Sequence, residues 1–100
     1  MLVTLHGNAK ETHSRLEGHY ILQTDLVNEK PWWLDDKNAI WADEDGWWFI
    51  ASKEKLGKFA FGLLSTNDVK YPNQALTWEY YNDDWIKSKN IFVTGTGIII

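Results

Sequence analysis

The sequence predicts an all-β fold: a single small antiparallel meander of seven or eight short strands, forming either a curved sheet or a barrel-like sandwich. Short apolar runs alternate with polar breaks along the whole chain, and a helical period is hard to find. The chain has 100 residues, of which 44% are hydrophobic and 15% aromatic, so we expect one globular domain over residues 1–100. We expect antiparallel neighbours because no crossover helix is available to return the chain in parallel.

Eight segments have the composition of short strands. In chain order they are MLVTL (1–5), GHYILQT (18–24), KPWWL (30–34), NAIWAD (38–43), GWWFIAS (46–52), KFAFGLL (58–64), LTWEYY (76–81) and NIFVTG (90–95). Residues 52–64 are the longest stretch compatible with a helix, but Gly57 and Gly62 weaken a helix there. Phe59 and Phe61 alternate as a strand requires, so we predict a strand in this segment.

Two short acidic segments between these strands have the composition of hairpin turns. DEDG, residues 43–46, joins AIWA to WWFI, and its glycine can supply the positive φ that tight turns require. NDD, residues 82–84, separates WEYY from WI in the same way. The longest irregular stretch is STNDVKYPNQA, residues 65–75, whose composition indicates no particular function.

Two pairs of adjacent tryptophans raise a question of packing, because successive side chains of a strand leave opposite faces of the sheet. Trp32 and Trp33 therefore cannot both enter one core, and neither can Trp47 and Trp48. One member of each pair needs another explanation.

The order of the aromatic and turn residues resembles that of a small aromatic-rich β module. The matching positions are Gly18 and Tyr20, Asn28, Pro31 and Trp33, Ile40 and Trp41, Trp48 and Ile50, Pro72, Trp78, Trp85, and Ile91 and Val93. The module is scattered through multidomain eukaryotic proteins, both extracellular ones and intracellular ones with kinase or ubiquitin-ligase domains. The resemblance covers about residues 18–94 and implies a β fold, while the family's function is poorly characterised. It also implies that Trp33 and Trp48 face the core.

If Trp33 and Trp48 face the core, the other members of the pairs lie on the opposite side of the sheet. Trp32 and Trp47 could approach each other there, and Trp41 and Tyr81 could join them. These four rings are the candidate ligand-binding residues, as an exposed platform for a peptide, a sugar or a cationic group. The alternative is a two-layer fold in which both faces are covered and every ring is structural.

Charge and composition disfavour several classes of partner. The net charge is −4 and the sequence pI about 5.2, whereas a nucleic-acid binder needs a basic field, so we expect no nucleic acid. Acidic residues near the predicted platform favour a hydroxyl-rich or cationic ligand; they are Asp35, Asp36, Asp43 and Glu44. The chain has no run of about 18 apolar residues, so we expect a soluble protein with no membrane partner.

The sequence contains no recognisable catalytic or metal-binding motif. It lacks a glycine-rich phosphate loop, a G-x-S-x-G elbow and an H-E-x-x-H helix, so we expect neither an enzyme nor a cofactor. The spacing of His6, His13 and His19 matches no recurrent ligand pattern, and we expect no metal. The absence of cysteine and of a signal-peptide pattern favours a cytoplasmic setting.

These observations together predict a non-catalytic module that recognises a protein or peptide partner through exposed aromatic rings. The alternatives are a carbohydrate-binding module and a purely structural domain of a larger protein. The terminal GTGIII, residues 95–100, either completes a strand beside MLVTL or marks where a longer chain was cut, and unprotected sheet edges could also pair two copies as a homodimer.

Overall fold

The structure, a computed structural model, describes residues 1–95, and these form ten strands and one short α-helix. The strands are β1 Leu2–Leu5, β2 Gly18–His19, β3 Ile21–Leu22, β4 Trp33–Asp35, β5 Asn38–Ala42, β6 Trp48–Ser52, β7 Leu63–Ser65, β8 Trp78–Tyr81, β9 Trp85–Ser88 and β10 Ile91–Thr94. Helix α1 spans Gly7–His13, and single 3-10 turns lie at Ser14–Leu16, Lys53–Lys55 and Pro72–Gln74. The fold is therefore all-β, as predicted. The terminal isoleucines of GTGIII lie outside the described residues.

The strands form two antiparallel sheets. β3 to β9 form a seven-stranded meander in sequence order, and β10, β1 and β2 form a three-stranded sheet in that order. Both predicted hairpin turns are present: one joins β5 to β6 and the other joins β8 to β9. Every strand pair is antiparallel, as predicted. The meander comprises β3 to β9, whereas β10 pairs with β1 in a separate sheet, and the strands number ten rather than seven or eight.

The chain changes sheet at two places, and both sheets contribute to one core. The first change is at Tyr20, a buried residue whose hydroxyl donates a hydrogen bond to the Leu16 carbonyl at 2.6 Å. The second is at Lys89–Asn90, between β9 and β10. The shared core corresponds to the sandwich alternative. From the three-stranded sheet it takes Val3, Leu5, Ile91 and Val93; from the meander it takes Trp33, Ile40, Ala42, Trp48, Ile50, Leu63, Trp78 and Tyr80.

The helix is the main element that the sequence did not predict. Its buried residues are Ala9 and His13, and Leu16 in the next turn is also buried. The spacing of four and then three residues is helical, but one of the three positions is a histidine, which conceals the apolar stripe. Ala9 and Leu16 belong to the shared core, and His13 packs edge-on against Tyr80.

The opposite face of the meander is also covered. A second cluster of buried residues lies there, formed by Ala39, Trp41, Phe49, Ala51, Ala60 and Leu64. Partly buried side chains pack against it: Val27, Trp32 and Leu56 come from segments between the strands, and Leu34 and Trp85 come from β4 and β9. The central strands therefore have no face open to water, and β5 has four consecutive buried residues, Ala39 to Ala42.

Candidate functional site

The two tryptophans predicted to face the core are buried, and their chain neighbours are less so. Trp33 and Trp48 lie in the shared core with ring centroids 6.1 Å apart. Trp48 Nε1 donates to the Val69 carbonyl at 3.0 Å, which satisfies its polar atom. Trp47 is 37% exposed to solvent. Trp32 is partly buried, and its Nε1 donates to Asp25 Oδ1 at 2.9 Å.

Trp41 cannot be part of an exposed platform. It is 0% exposed, it stacks on Phe49 at 6.0 Å between ring centroids, and its Nε1 donates to the Lys58 carbonyl at 3.0 Å. The prediction of an exposed Trp41 ring is therefore wrong. It is on the expected face, but segments remote in sequence cover that face.

Trp32 and Trp47, the less buried members of the two tryptophan pairs, do not lie on directly neighbouring strands. Trp32 and Trp47 immediately precede β4 and β6, and β5 lies between these strands in the sheet. The segments around the two rings are therefore not direct neighbours, and the expected approach of the rings across paired strands is not met.

Four other rings form an exposed group, which we call the outer aromatic cluster: Phe59, Phe61, Tyr81 and Trp85. Phe61 lies 5.3 Å from Phe59, 4.5 Å from Tyr81 and 6.3 Å from Trp85, measured between ring centroids. Phe59 is 46% exposed and Phe61 61% exposed, while Tyr81 and Trp85 are partly buried. Of the four predicted site residues, Tyr81 alone belongs to this cluster.

The β8–β9 hairpin places two of these rings side by side. Tyr81 pairs with Trp85 across the two strands, and their ring centroids are 5.3 Å apart. The turn is closed by the Asn82 backbone N–H, which donates to the Asp84 carbonyl at 2.9 Å, while Asp83 adopts a φ of 61°. Asp84 Oδ1 also accepts from the Trp85 backbone N–H at 2.8 Å, which holds Trp85 at the start of β9.

The two phenylalanines are held by the backbone that follows them. A Cβ on Gly62 would contact the Ile50 carbonyl and would lie 2.9 Å from the Ala51 Cβ, so this close approach requires glycine. The Gly62 carbonyl accepts from the Tyr81 backbone N–H at 3.1 Å. Phe59 also packs edge-on against buried Phe49, with centroids 5.3 Å apart. The exposed rings are thus anchored to the second core.

The prediction of a strand over residues 58–64 explains why sequence reasoning missed Phe59 and Phe61. Strand β7 covers only Leu63–Ser65. Residues 58–62 have irregular backbone on the face of the meander that carries the second buried cluster. The small residues Ala60 and Gly62 carry a signal that could have identified this arrangement. Where small residues alternate with large ones, the backbone can approach the core and direct the large side chains outward.

Acidic residues border the cluster on two sides. Asp43, Glu44 and Asp45 share a shallow cleft of about 230 Å³ with Phe59 and Lys58. Asp83 and Asp84 are exposed in the hairpin turn between Tyr81 and Trp85. The predicted acidic neighbours Asp43 and Glu44 therefore do lie beside exposed rings, whereas Asp35 and Asp36 are at the β4–β5 turn.

Two titratable groups in the interior are perturbed, and both belong to the region around α1. The pKa of buried His13 is lowered by desolvation and by the nearby Arg15 charge. The pKa of the Tyr20 hydroxyl is raised by desolvation and by Asp35, with Arg15 acting in the opposite direction. His13 packs edge-on against Tyr80, and its Nδ1 lies 2.7 Å from Thr12 Oγ1. Both groups belong to the core rather than to the outer aromatic cluster.

Residues 1–95 contain no group of three or more histidine, aspartate or glutamate side chains placed to hold a metal ion. Among the same residues, no helix is long and apolar enough to cross a lipid bilayer. Comparison of the chain with protein-family models, with curated proteins and with solved structures found no match.

Proposed function

We propose that the protein is a non-catalytic interaction module that binds a protein or peptide partner through the outer aromatic cluster. The observation that carries the proposal is the exposure of Phe59 and Phe61, of which Phe59 packs against buried Phe49 and Phe61 packs against Phe59. Large apolar rings grouped at one surface are unfavourable in water and commonly mark a binding site.

The anchoring of the rings supports binding as well as exposure. Rings that are already positioned lose little conformational entropy when a partner covers them. Gly62, the Tyr81–Gly62 hydrogen bond and the Phe49–Phe59 contact position the cluster in the free protein. Aromatic residues are also enriched among the residues that dominate interface energies.

The ring geometry favours apolar side chains over sugars as the bound groups. A sugar ring stacks on a flat indole face, but the Trp85 ring is stacked against Phe61 with an interplanar angle of 19° and contacts Phe59 edge-on. The neighbouring phenylalanines therefore leave less of the flat indole face free for a sugar. Aliphatic or aromatic side chains of a peptide fit such a surface.

The bordering charges indicate the chemistry of the partner. The acidic residues at 43–45 and at 83–84 produce a negative rim, which Lys58 and Lys87 offset only in part. Opposite charges at the rim of an interface steer association. We therefore propose a partner segment with one or two large apolar side chains flanked by lysine or arginine.

The carbohydrate alternative rests on a different residue. Trp47 is 37% exposed and directly follows the acidic turn, where Asp43 Oδ1 accepts from the Trp47 backbone N–H at 3.0 Å. An exposed indole beside carboxylates is a reasonable sugar site, and it is separate from the outer aromatic cluster. We also propose that residues 18–94 are related to the aromatic-rich module of multidomain proteins; because the function of that family is poorly characterised, this relationship favours neither ligand.

Selection from a displayed random-peptide library tests the proposal. Wild-type protein should enrich peptides that combine large apolar and basic residues, and Phe61→Ala should weaken their binding by about tenfold or more, since residues of this kind dominate interface energies. The matched control is Phe92→Ala, because Phe92 is 45% exposed but lies on β10 in the other sheet. Equal binding by Phe61→Ala and wild type would contradict the proposal. Binding to an oligosaccharide array that Trp47→Ala abolishes would favour the carbohydrate alternative.

A further inference from the structure

A second concave site lies where the shared core opens between the β3–β4 connection and Tyr71. It is a cleft of about 390 Å³, and it shares no residue with the outer aromatic cluster. Its apolar walls are Leu22, Leu26, Pro31, Trp33 and Tyr71. The volume falls within the range of about 300–1,000 Å³ that small-molecule sites occupy.

The walls of the cleft are held in place before any ligand arrives. Trp33 is buried in the shared core, and Leu22 and Tyr71 pack against that core. Tyr71 also directly precedes the 3-10 turn Pro72–Gln74, and its backbone N–H donates to Gln74 Oε1 at 2.9 Å. A cleft with prearranged apolar walls loses little free energy to ordering when it binds a ligand.

The turn at the rim of the cleft is similarly fixed. Val27 and Lys30 exchange two backbone hydrogen bonds of 2.9 and 3.0 Å. Between them, Asn28 Nδ2 donates to the carbonyls of Ala42 and Gly57 at 2.8 and 3.0 Å. The turn is therefore tied to both the meander and the segment that covers its outer face.

Two lysines line this apolar cleft. Lys30 Nζ lies 5.7 Å from the centroid of the Trp48 ring, and Lys70 Nζ lies 5.4 Å from that of the Tyr71 ring. Lys10–Glu17 is the one ion pair within 4.0 Å among residues 1–95, so neither lysine is neutralised by a carboxylate at that distance. Glu29 is the only acid in the lining. The residues that line the cleft therefore carry two positive charges and one negative charge, on a chain whose net charge is −4.

From these contacts we infer that the cleft binds a small amphipathic acid: an apolar, ring-sized body carrying one carboxylate. The body would lie against Leu22, Leu26 and Trp33, and the carboxylate would face Lys30 and Lys70. The two ammonium groups beside apolar walls would give the site its selectivity for an anion with an apolar body. This inference is independent of the partner proposed for the outer aromatic cluster.

Three compounds with the same apolar body test the charge preference: 4-phenylbutyrate, 4-phenylbutanol and 4-phenylbutylamine. Each is titrated into the 15N-labelled protein, and the amide and indole N–H signals are followed by NMR. We expect the acid to bind most tightly and the amine most weakly, with the largest shifts at Leu22, Trp33 and Tyr71. Equal affinities for the three compounds, or shifts confined to other residues, would overturn the inference.

Variants with matched controls separate the apolar and charged contributions. Lys70→Gln should weaken 4-phenylbutyrate binding roughly two- to fivefold, as expected for an exposed ion pair, and leave the alcohol unchanged. Lys53→Gln removes an exposed lysine outside the cleft lining and should change neither. Leu26→Glu should weaken the binding of the acid and of the alcohol, whereas the same change at exposed Leu76 should not. Unchanged binding of the acid to both Lys70→Gln and Leu26→Glu would place the ligand elsewhere.

Binding of a peptide with a C-terminal phenylalanine, but not of 4-phenylbutyrate, would overturn the assignment to a small acid.

Discussion

Trp47 and Trp48 are adjacent in the chain, but only one of them belongs to the core. We expect Trp48→Ala to cost about 3–5 kcal/mol, because it removes a buried indole and leaves the Val69 carbonyl without its donor. A protein of this size has a total stability of about 5–15 kcal/mol, so the variant should lose a large fraction of its stability. Trp47→Ala should cost about 1 kcal/mol or less. Urea denaturation followed by far-UV circular dichroism measures both, and equal losses would contradict the different roles of the two rings.

Buried His13 should make stability depend on pH. Its pKa is lowered in the folded protein, so the unfolded chain binds the proton more readily. The stabilising contribution is complete above the unfolded pKa of about 6.5 and is lost as the pH falls below that value toward the folded pKa. We expect the free energy of unfolding to decrease between pH 7.5 and pH 5 more steeply in wild type than in His13→Gln.

Exposed His19 provides the control for this measurement, since His19→Gln should retain the wild-type dependence on pH. If His13→Gln and His19→Gln gave the same pH dependence, burial of His13 would not be its cause.

Single residues also show how far the sequence could predict the site. Strand periodicity predicted that only one member of each tryptophan pair enters the core, because that inference depends only on neighbouring residues. The resemblance to the aromatic-rich module selected Trp33 and Trp48, and these two are the buried members. The exposure of Trp41 depends on whether distant segments cover its face, and Val27 and Leu56 belong to such segments. No local pattern in the sequence contains that information.

The turn from Val27 to Lys30 allows the contributions of side-chain hydrogen bonds and of backbone conformation to stability to be separated. Asn28 has a φ of 51°, and its side chain makes two hydrogen bonds. We expect Asn28→Gly to cost about 1–3 kcal/mol from the lost bonds. Asn28→Ala should cost about 1 kcal/mol more, because alanine disfavours a positive φ. Glu29→Gly serves as the control, since it relieves a φ of 66° and should be neutral or stabilising. Chemical denaturation measures all three variants, and equal stabilities of Asn28→Ala and Asn28→Gly would show that the backbone conformation is not the cause.

The elements that the sequence located best are those with local determinants. The two hairpin turns were predicted from short acidic segments, and the strands on either side of them follow. Helix α1 was not predicted, because its stripe of Ala9, His13 and Leu16 becomes visible only when a histidine is accepted as a core residue. Residues 58–62 were misassigned because their alternation of large and small side chains also occurs in strands.

At the scale of the whole molecule, the shared core contains residues from both sheets and from positions as distant as Val3 and Val93. We therefore expect one cooperative unfolding transition, since neither sheet retains an intact core without the other. Near-UV circular dichroism reports the aromatic packing and far-UV circular dichroism reports the strands, and their urea transitions should coincide. An earlier near-UV transition would show that the outer layer over Trp41 separates first.

The edges of the two sheets bear on the predicted homodimer. The meander ends at β3 and β9, and the smaller sheet ends at β2 and β10. β9 carries exposed Lys87, and a charged side chain on an edge strand opposes pairing with another copy. Association through these edges stays a prediction, which sedimentation analysis can test.

The double cover of the central strands has a consequence for engineering the protein. Four consecutive residues of β5 are buried, so a randomised library directed at that strand would yield mainly unfolded clones. Diversity is better placed at exposed positions such as Phe59, Phe61 and Leu76, where new side chains can point into solvent. The molecule would then serve as a small cysteine-free scaffold whose recognition properties can be changed while its interior is left intact.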